Sequence, residues 1–600
     1  MNGQRAVTVA ATVFVYVVTT LFLLEILSSL VYHDRNEYGT RRKRIVKQWD
    51  MQSKPRKKAD IPYLNTNQPF KYDSEKSYIL DSLLQKLLKT HDRPGDDYYG
   101  FNLTRSDEIL VTRDVIDERS DECKNRNFNY ASLPTLSVVT PFHNEALTPL
   151  LRHVHAILSR TPPQLLMEII LVDDNSTFSY LGEDLQEYFR ILDSRIRILR
   201  NKERKGLILS RLQGEEEARG EVVVFLDAHM EVCEGWAEPL LERIKNRPAI
   251  VVQAYITPID VNTLALKTDD NVKYRGGFGW DMRYMWFPQP LYVNQFLEND
   301  WEPFPTPVLQ GSCIAVRKSY FNAVGRFDPG LKIWGGEQFD LSFNVWMTGG
   351  KIETVPCSKV GHIFKDNKYS FGSEDKIYTI TKNRLRVAEI WMDEFKHIVR
   401  SAVMGTHFPG RSEADFRSHF PFFTEAELKS MQDRKALRKK HNSKSFAWFL
   451  KTLMPEHKIP SREDVNSGEI RNVRTKHSFF IFEDGYIGTK GNEGGEAILV
   501  PDNTFALDKY GRLKYEDRCV GYGEWNLLVI KECPSKVGEK GFMPWTYDNN
   551  QLITFHQSMY LCATQAKSRI PIHTGQTVVQ LQMCDEQNDD QRWMFMFTYG

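Results

Sequence analysis

Val222-Val223-Val224-Phe225-Leu226 is apolar at every position and rich in β-branched residues. That pattern fits a strand buried on both faces, which can exist only inside a covered sheet. The run stops at once in Asp227-Ala228-His229. Side chains two residues apart on extended backbone point to the same side, so a carboxylate and an imidazole converge where the strand ends. One oxygen and one nitrogen ligand suit a divalent cation with coordination positions left open for a phosphate. Alone, the pair also fits an Asp that caps the next helix and a His that serves a loop. The neighbouring stretches decide between these readings.

Strand-like and helix-like patterns alternate from Leu136 onward. Strands are expected at Leu136–Thr140, Glu168–Val172, Ile196–Leu199, Val222–Leu226 and Ile250–Tyr255. Helices are expected between them, for example where Leu147, Leu150, Leu151, Val154, Ile157 and Leu158 recur at helical spacing. This order predicts an α/β domain with a mostly parallel sheet covered by helices. Ligands of such sheets bind beyond the carboxyl ends of the strands. Asp173-Asp174 and Asp227-x-His229 both fall at such ends, giving two anchoring points for a nucleotide and its metal. The chain has no G-x-G-x-x-G after a strand and no G-x-x-x-x-G-K-[ST], so dinucleotide and P-loop readings lose their main support. A nucleotide-sugar site fits better. Further on, Ile333-Trp334-Gly335-Gly336-Glu337 sets a carboxylate behind two glycines, which admit close backbone approach, and a tryptophan that can stack on a ligand. His362 is a second histidine that can complete a metal set.

The length of 600 residues allows three or four folding units, and a formal charge of +1 gives no nucleic-acid-binding footprint. Ala6–Leu24 carries no charge, and the apolar character continues to Tyr32. This is long enough to cross a bilayer. Arg35 and Arg41-Arg42-Lys43-Arg44 follow it, so charge bias alone would put the large C-terminal part in the cytosol. Residues 33–100 are mostly polar, apart from a short amphipathic piece near Tyr78–Leu88, which predicts a stem. Cys519, Cys533, Cys562 and Cys584 lie in the last 82 residues with in-pair spacings of 14 and 22. They suggest a small module stapled twice, in an oxidising compartment. Asn102-Leu103-Thr104 is a glycosylation acceptor pattern.

Six collinear stretches resemble the polypeptide N-acetylgalactosaminyltransferases: Val138-Val139-Thr140-Pro141-Phe142-His143-Asn144-Glu145-Ala146, Leu171-Val172-Asp173-Asp174, Phe225-Leu226-Asp227-Ala228-His229, Trp334-Gly335-Gly336-Glu337, Val360-Gly361-His362 and the run from Arg386 to Glu394. The resemblance implies a cytoplasmic tail at 1–5, a signal anchor at 6–32, a stem at 33–100, a GT-A catalytic domain at 101–460 and a ricin-type β-trefoil lectin domain at 468–600. It implies a type II Golgi membrane protein with its catalytic domain in the lumen, against the local charge bias. The reaction would move GalNAc from UDP-GalNAc to Ser or Thr hydroxyls of polypeptides with retention. Mn²⁺ would be held by Asp227, His229 and His362. His143, Asp174, Arg204, Trp334, Lys365 and Tyr369 match nucleotide-sugar positions, and Phe278 and Trp280 match residues near the acceptor. Glu337 would position the substrates electrostatically at the reacting centre, beside Asp227. Cys123 and Cys357 match a catalytic-domain disulfide.

Several positions depart from the family pattern. Pro141 precedes Phe-His-Asn-Glu, Leu209 replaces an Arg and leaves Arg211, Gln338 replaces an Asn, and Lys365 replaces an Arg. Thr348 and Ser443 stand where a second cysteine pair is frequent, and the pairing of Cys233 and Cys313 is open. These departures keep alive an alternative, a catalytically weak member that binds peptide or glycan. In the C-terminal module, Gly521 and Thr564 stand where a sugar-binding Asp is expected.

Overall fold

The computed structural model describes residues 74–598 apart from 116, 268–272, 366–369, 408–422, 458, 460–463, 492–503, 535–543, 549, 557–558, 569–572 and 574. The apolar span at 6–32 and Tyr369 lie outside the described residues. Among those described, no helix is long and apolar enough to cross a membrane.

Eleven strands shape the first part: β1 Leu136–Phe142, β2 Leu166–Asp173, β3 Ile196–Arg200, β4 Val222–Leu226, β5 Met230–Val232, β6 Ile250–Ile259, β7 Tyr274–Phe278, β8 Tyr284–Pro288, β9 Phe304–Pro305, β10 Cys313–Arg317 and β11 Lys351–Ile363. Nine form one sheet in the order β3-β2-β1-β4-β10-β6-β11-β5, with β9 also on β11; β7 and β8 make a separate hairpin. Every residue of β4 is buried, as its unbroken apolar run requires. The parallel order expected from the sequence holds for β1 to β4. Beyond β4 the sheet is mixed, because β10 lies antiparallel to both β4 and β6. The chain reaches β10 after the β7–β8 excursion rather than through a crossover helix, so nothing forces it into parallel register.

The longer helices among the described residues are α1 Ser74–Leu88, α2 Leu147–Arg160, α3 Glu183–Leu192, α4 Leu207–Glu217, α5 Ala237–Asn246, α6 Glu337–Met347, α7 Lys376–Trp391, α8 Lys396–His407, α9 Glu425–Lys440 and α10 Phe446–Leu453, with shorter helical turns between. Packing of α2, α4 and α5 on the sheet buries the apolar positions that recur at helical spacing. The segment 74–100, grouped with the stem by its polar composition, is folded here. Leu80 and Leu87 of α1 are buried in the same core as Tyr188 and Phe189 of α3. A disulfide joins Cys123 to Cys357 of β11 across 234 residues of chain. Cys233 and Cys313 are buried free thiols, pushed up to about 11 and about 12 chiefly by burial. Around Thr348 and Ser443, where the resemblance implies a second disulfide, the two segments meet, with the Lys444 backbone N–H donating to Met347 O at 2.8 Å.

From Asp464 onward the described residues form strands with only short helical turns between them. Twelve strands, from Asp464–Asn472 to Trp593–Thr598, form one sheet over a separate apolar core. Two stretches repeat one plan. Disulfides join Cys519 to Cys533 and Cys562 to Cys584. Cys519 pairs in register with Lys531, and Cys562 with Gln582, each two residues before the second cysteine. Buried Trp545 donates its indole N–H to Val520 O at 3.1 Å, and Trp593 donates to Ala563 O at 2.7 Å. Both acceptors sit one residue past the first cysteine.

Candidate active site

Consecutive strand ends are stitched together at the carboxyl rim. The Asp174 N–H donates to Phe142 O, the Asn201 N–H to Asp173 O and the Asp227 N–H to Ser312 O. Asn144 and Asn175 adopt left-handed backbone with φ of 49° and 61°, which Asn tolerates better than most residues, and so turn the chain at the ends of β1 and β2.

Asp227 and His229 occupy the short link between β4 and β5. His362 of β11 lies in register with Met230, beside His229. The ligand atoms of Asp227, His229 and His362 all lie within 4.8 Å of one another. Both ring nitrogens of His362 are buried without a hydrogen-bond partner, Nε2 facing Asp227 Oδ2 at 3.6 Å, a costly state that a cation would relieve. His229 uses Nδ1 toward Glu145 Oε2 at 3.0 Å, which leaves Nε2 for a metal. This donor set fits a divalent cation.

Arg211, buried on α4, donates to Asp227 Oδ1 at 2.9 Å and to Gly311 O at 2.8 Å. Its other terminal nitrogen lies 3.9 Å from Glu337 Oε1, so one guanidinium links the two carboxylates. Burial alone would raise the Asp227 carboxyl, but the nearby His362 ring and the Arg211 charge hold it at about 2. For Glu337, burial wins over Arg211 and pushes the carboxyl above its ordinary range. Glu337 opens α6 after Gly335 and Gly336, whose φ values of 97° and 99° exclude most side chains. Its Oε2 accepts the Gly335 N–H at 3.0 Å.

The preceding residues of this loop are pinned from outside. Asn383 of α7 accepts from the Lys332 N–H and donates to Lys332 O and Trp334 O, at 3.0, 2.7 and 3.1 Å. Gly206 approaches Ile333 so closely that a Cβ on it would stand 2.2 Å from the Ile333 Cα. Asp174 anchors the segment before α4 by accepting from Asn201, Lys205 N–H, Arg204 and Gly206 N–H at 2.7 to 2.9 Å. His143 Nδ1 lies 2.9 Å from Asp174 O.

Three comparisons bear on this architecture. The family model "Glycosyl transferase family 2" matches residues 137–325. A crystal structure of GalNAc-T7 with UDP, GalNAc and Mn²⁺ is similar, with a TM-score of 0.57 and 28% identity, covering 90% of this chain and 94% of that one. Polypeptide N-acetylgalactosaminyltransferase 11 of Xenopus tropicalis is 35% identical over 502 residues, which span 84% of this chain and 75% of that protein. This chain belongs to the polypeptide N-acetylgalactosaminyltransferase family. Polypeptide N-acetylgalactosaminyltransferase 3 of Taeniopygia guttata, 32% identical over 511 residues, agrees. The α/β part is thus a GT-A catalytic domain, and the all-β part corresponds to a lectin-type domain.

For a polypeptide N-acetylgalactosaminyltransferase, the sequence-derived site residues fall into two places. Asp227, His229, His362, His143, Asp174, Arg204 and Lys365 are carried by β-strand ends and the loops that adjoin them, while Trp334 and Glu337 come from the loop before α6 and its first residue. Phe278 and Trp280 are buried instead in an aromatic cluster, with His457 ring centroids 4.8 and 5.1 Å away. Sequence reasoning assigned no role to Glu145, Arg211 or Asn383. Glu145 lies in the Phe142-His143-Asn144-Glu145 stretch, but its partners His229 and Lys365 are 84 and 220 residues away in sequence. Asn383 gave no signal, since 51 residues separate it from Lys332.

Proposed function

We propose that this protein transfers GalNAc from UDP-GalNAc to Ser or Thr hydroxyls of polypeptides, with retention, and so starts mucin-type O-glycosylation. The observation that carries the reading is the meeting of a three-residue ligand set with the buried Glu337 through Arg211. Mn²⁺ held by Asp227, His229 and His362 would supply a Lewis acid for the departing UDP. The remaining roles fall to the chain. Arg211 holds Asp227 in place and stands between it and Glu337. Glu337, fixed by the Gly335 N–H, offers a preset negative charge to the sugar as positive charge develops there, without reorganisation. Trp334 lines the nucleotide-sugar pocket, which His143, Arg204 and Lys365 complete on the nucleotide side. Asp174 holds the Arg204–Gly206 segment in position for it. Phe278 and Trp280 shape the acceptor side from within the core.

The finer architecture belongs to the same proposal. Residues 468–600 form a ricin-type β-trefoil, a reading supported by the two matching disulfide repeats and their tryptophans. The apolar span at 6–32 anchors a type II protein in the Golgi membrane, with the catalytic domain lumenal, where its three disulfides are stable. The deciding experiment measures UDP release from UDP-GalNAc with a Ser/Thr peptide library, with and without Mn²⁺. Metal-dependent release coupled to glycopeptide formation is expected. Peptide binding without turnover in the presence of Mn²⁺ would reject this reading for that of a catalytically weak binding protein.

A further inference from the structure

The ring of His229 and the ammonium of Lys365 share one carboxylate. Glu145 follows β1 and is buried, 6% exposed. Its Oε2 meets His229 Nδ1 at 3.0 Å, while its Oε1 accepts from Lys365 Nζ at 2.9 Å and from the Ala146 N–H at 3.0 Å. Its position is fixed from behind as well, since the Tyr180 hydroxyl donates to Glu145 O at 2.8 Å and accepts in turn from Tyr99. The Tyr99 ring faces the Lys365 ammonium at 5.9 Å. The partners of its two oxygens are an ammonium, an imidazole nitrogen and a backbone N–H, the surroundings of an ionised carboxylate. An ionised carboxylate only accepts, so His229 Nδ1 carries the hydrogen and Nε2 keeps its lone pair.

We infer that Glu145 is a positioning residue with two opposed clients: it orients His229 for the divalent cation and at the same time tethers Lys365. The inference rests on the metal reading given under the proposed function. Lys365 neutralises the carboxylate that makes His229 a better ligand, and its own charge repels a cation bound nearby. Glu145 and Lys365 therefore act on metal affinity with opposite signs. A carboxylate whose work is only to hold the fold together would not produce that pattern.

The test is Mn²⁺ binding to the whole lumenal chain without nucleotide, read by calorimetry or by the electron paramagnetic resonance of free Mn²⁺. Thermal unfolding of each variant provides the control for folding. Glu145→Gln is expected to raise the Mn²⁺ Kd by about 10-fold or more, within the range usual for loss of a carboxylate behind a metal-bound histidine. Lys365→Met is expected to lower that Kd by about threefold or more, as removal of one nearby positive charge should. Glu145→Asp keeps the charge but withdraws it by one methylene. It is expected to fall between parent and Glu145→Gln, and it serves if Glu145→Gln does not fold. Asp227→Asn reports separately on the metal reading. If that variant binds Mn²⁺ as the parent does, the site assignment fails. If it loses binding while Glu145→Gln stays within twofold of the parent, or Lys365→Met fails to tighten binding, the inference about Glu145 alone is overturned.

Discussion

Asp227 and Glu337 lean on the same guanidinium, yet their surroundings push them in opposite directions. Asp227 is held at about 2 and is a ready anion, whereas burial lifts Glu337 above the usual range. The first suits a permanent ligand; the second suits a charge whose full value is felt when a positive partner forms beside it. Asp227→Asn or His229→Ala should abolish Mn²⁺-dependent transfer while leaving the melting temperature nearly unchanged, since both side chains sit at a strand end outside the apolar core. Assays of GalNAc transfer alongside thermal unfolding check this; normal turnover by a folded Asp227→Asn variant would remove Asp227 from the site. Glu337→Gln should lower kcat by about 10²–10³-fold and change UDP affinity only a few-fold, because the interaction lost belongs to the transition state. An unchanged kcat with weakened UDP binding would make Glu337 a nucleotide-binding residue instead. At this scale the ligands were legible, because Asp227, His229 and Glu337 sit in short motifs whose chemistry is local. Arg211 and Asn383 were not, because each acts through a partner set beside it only by the sheet and its helices.

Loops at the strand ends owe their shape to elements elsewhere in the chain. The loop before α6 depends on Asn383 of α7, which satisfies three backbone groups. Asn383→Ala leaves those groups unpaired beside the core and should cost about 1–3 kcal/mol, with a lower melting temperature and weaker UDP binding together. Unchanged nucleotide affinity in a destabilised Asn383→Ala protein would confine the residue to folding. Helix α2 makes stability depend on pH. Its buried His155 is pushed down to about 4 by burial, with its ring 2.8 Å from the Tyr188 hydroxyl. The unfolded chain takes up a proton near pH 6.5 and the folded one does not until about 4. His155 therefore contributes stability above pH 6.5 that is lost at about 1.4 kcal/mol per unit as pH falls toward 4. Urea unfolding at pH 7 and pH 5 should show a smaller pH difference for His155→Gln than for the parent, and an equal difference would contradict the assignment. Strands β1 to β4 could be read from their short runs rich in apolar and β-branched residues, unbroken only in β4 and interrupted by Ser137, Glu168 and Arg197 in the others. The antiparallel β10 could not be oriented that way, since period-two alternation looks the same in either direction.

At the scale of the whole chain, a covered sheet was foreseeable from alternation and a small stapled module from cysteine spacing, whereas the all-β character of that module followed only from the family resemblance. The folding of residues 74–100 onto the catalytic core was not, because α1 buries only part of one face and its composition is otherwise polar. The module bears on glycan recognition. Where an acidic side chain was expected, Gly521 lies under the Lys531 stem, which passes 3.2 Å from the place of a Cβ, and the buried Thr564 hydroxyl is spent on Cys562 O at 3.0 Å. Neither position offers a carboxylate to a sugar hydroxyl. Titrating the chain with GalNAc in the absence of Mn²⁺ and nucleotide should give no saturable binding below about millimolar concentration, on the scale at which a few hydrogen bonds yield affinity. Sub-millimolar binding would require a sugar pocket at another place in the module. The segments around Thr348 and Ser443 meet through the Lys444 to Met347 backbone bond and the packing of Phe343 on Phe446 and Phe449, where the family resemblance implies a disulfide. That seam opens with heat and ignores reductants, so in a protease digest dithiothreitol should loosen the Cys123–Cys357 side of the catalytic domain while cleavage near Ser443 answers to temperature alone.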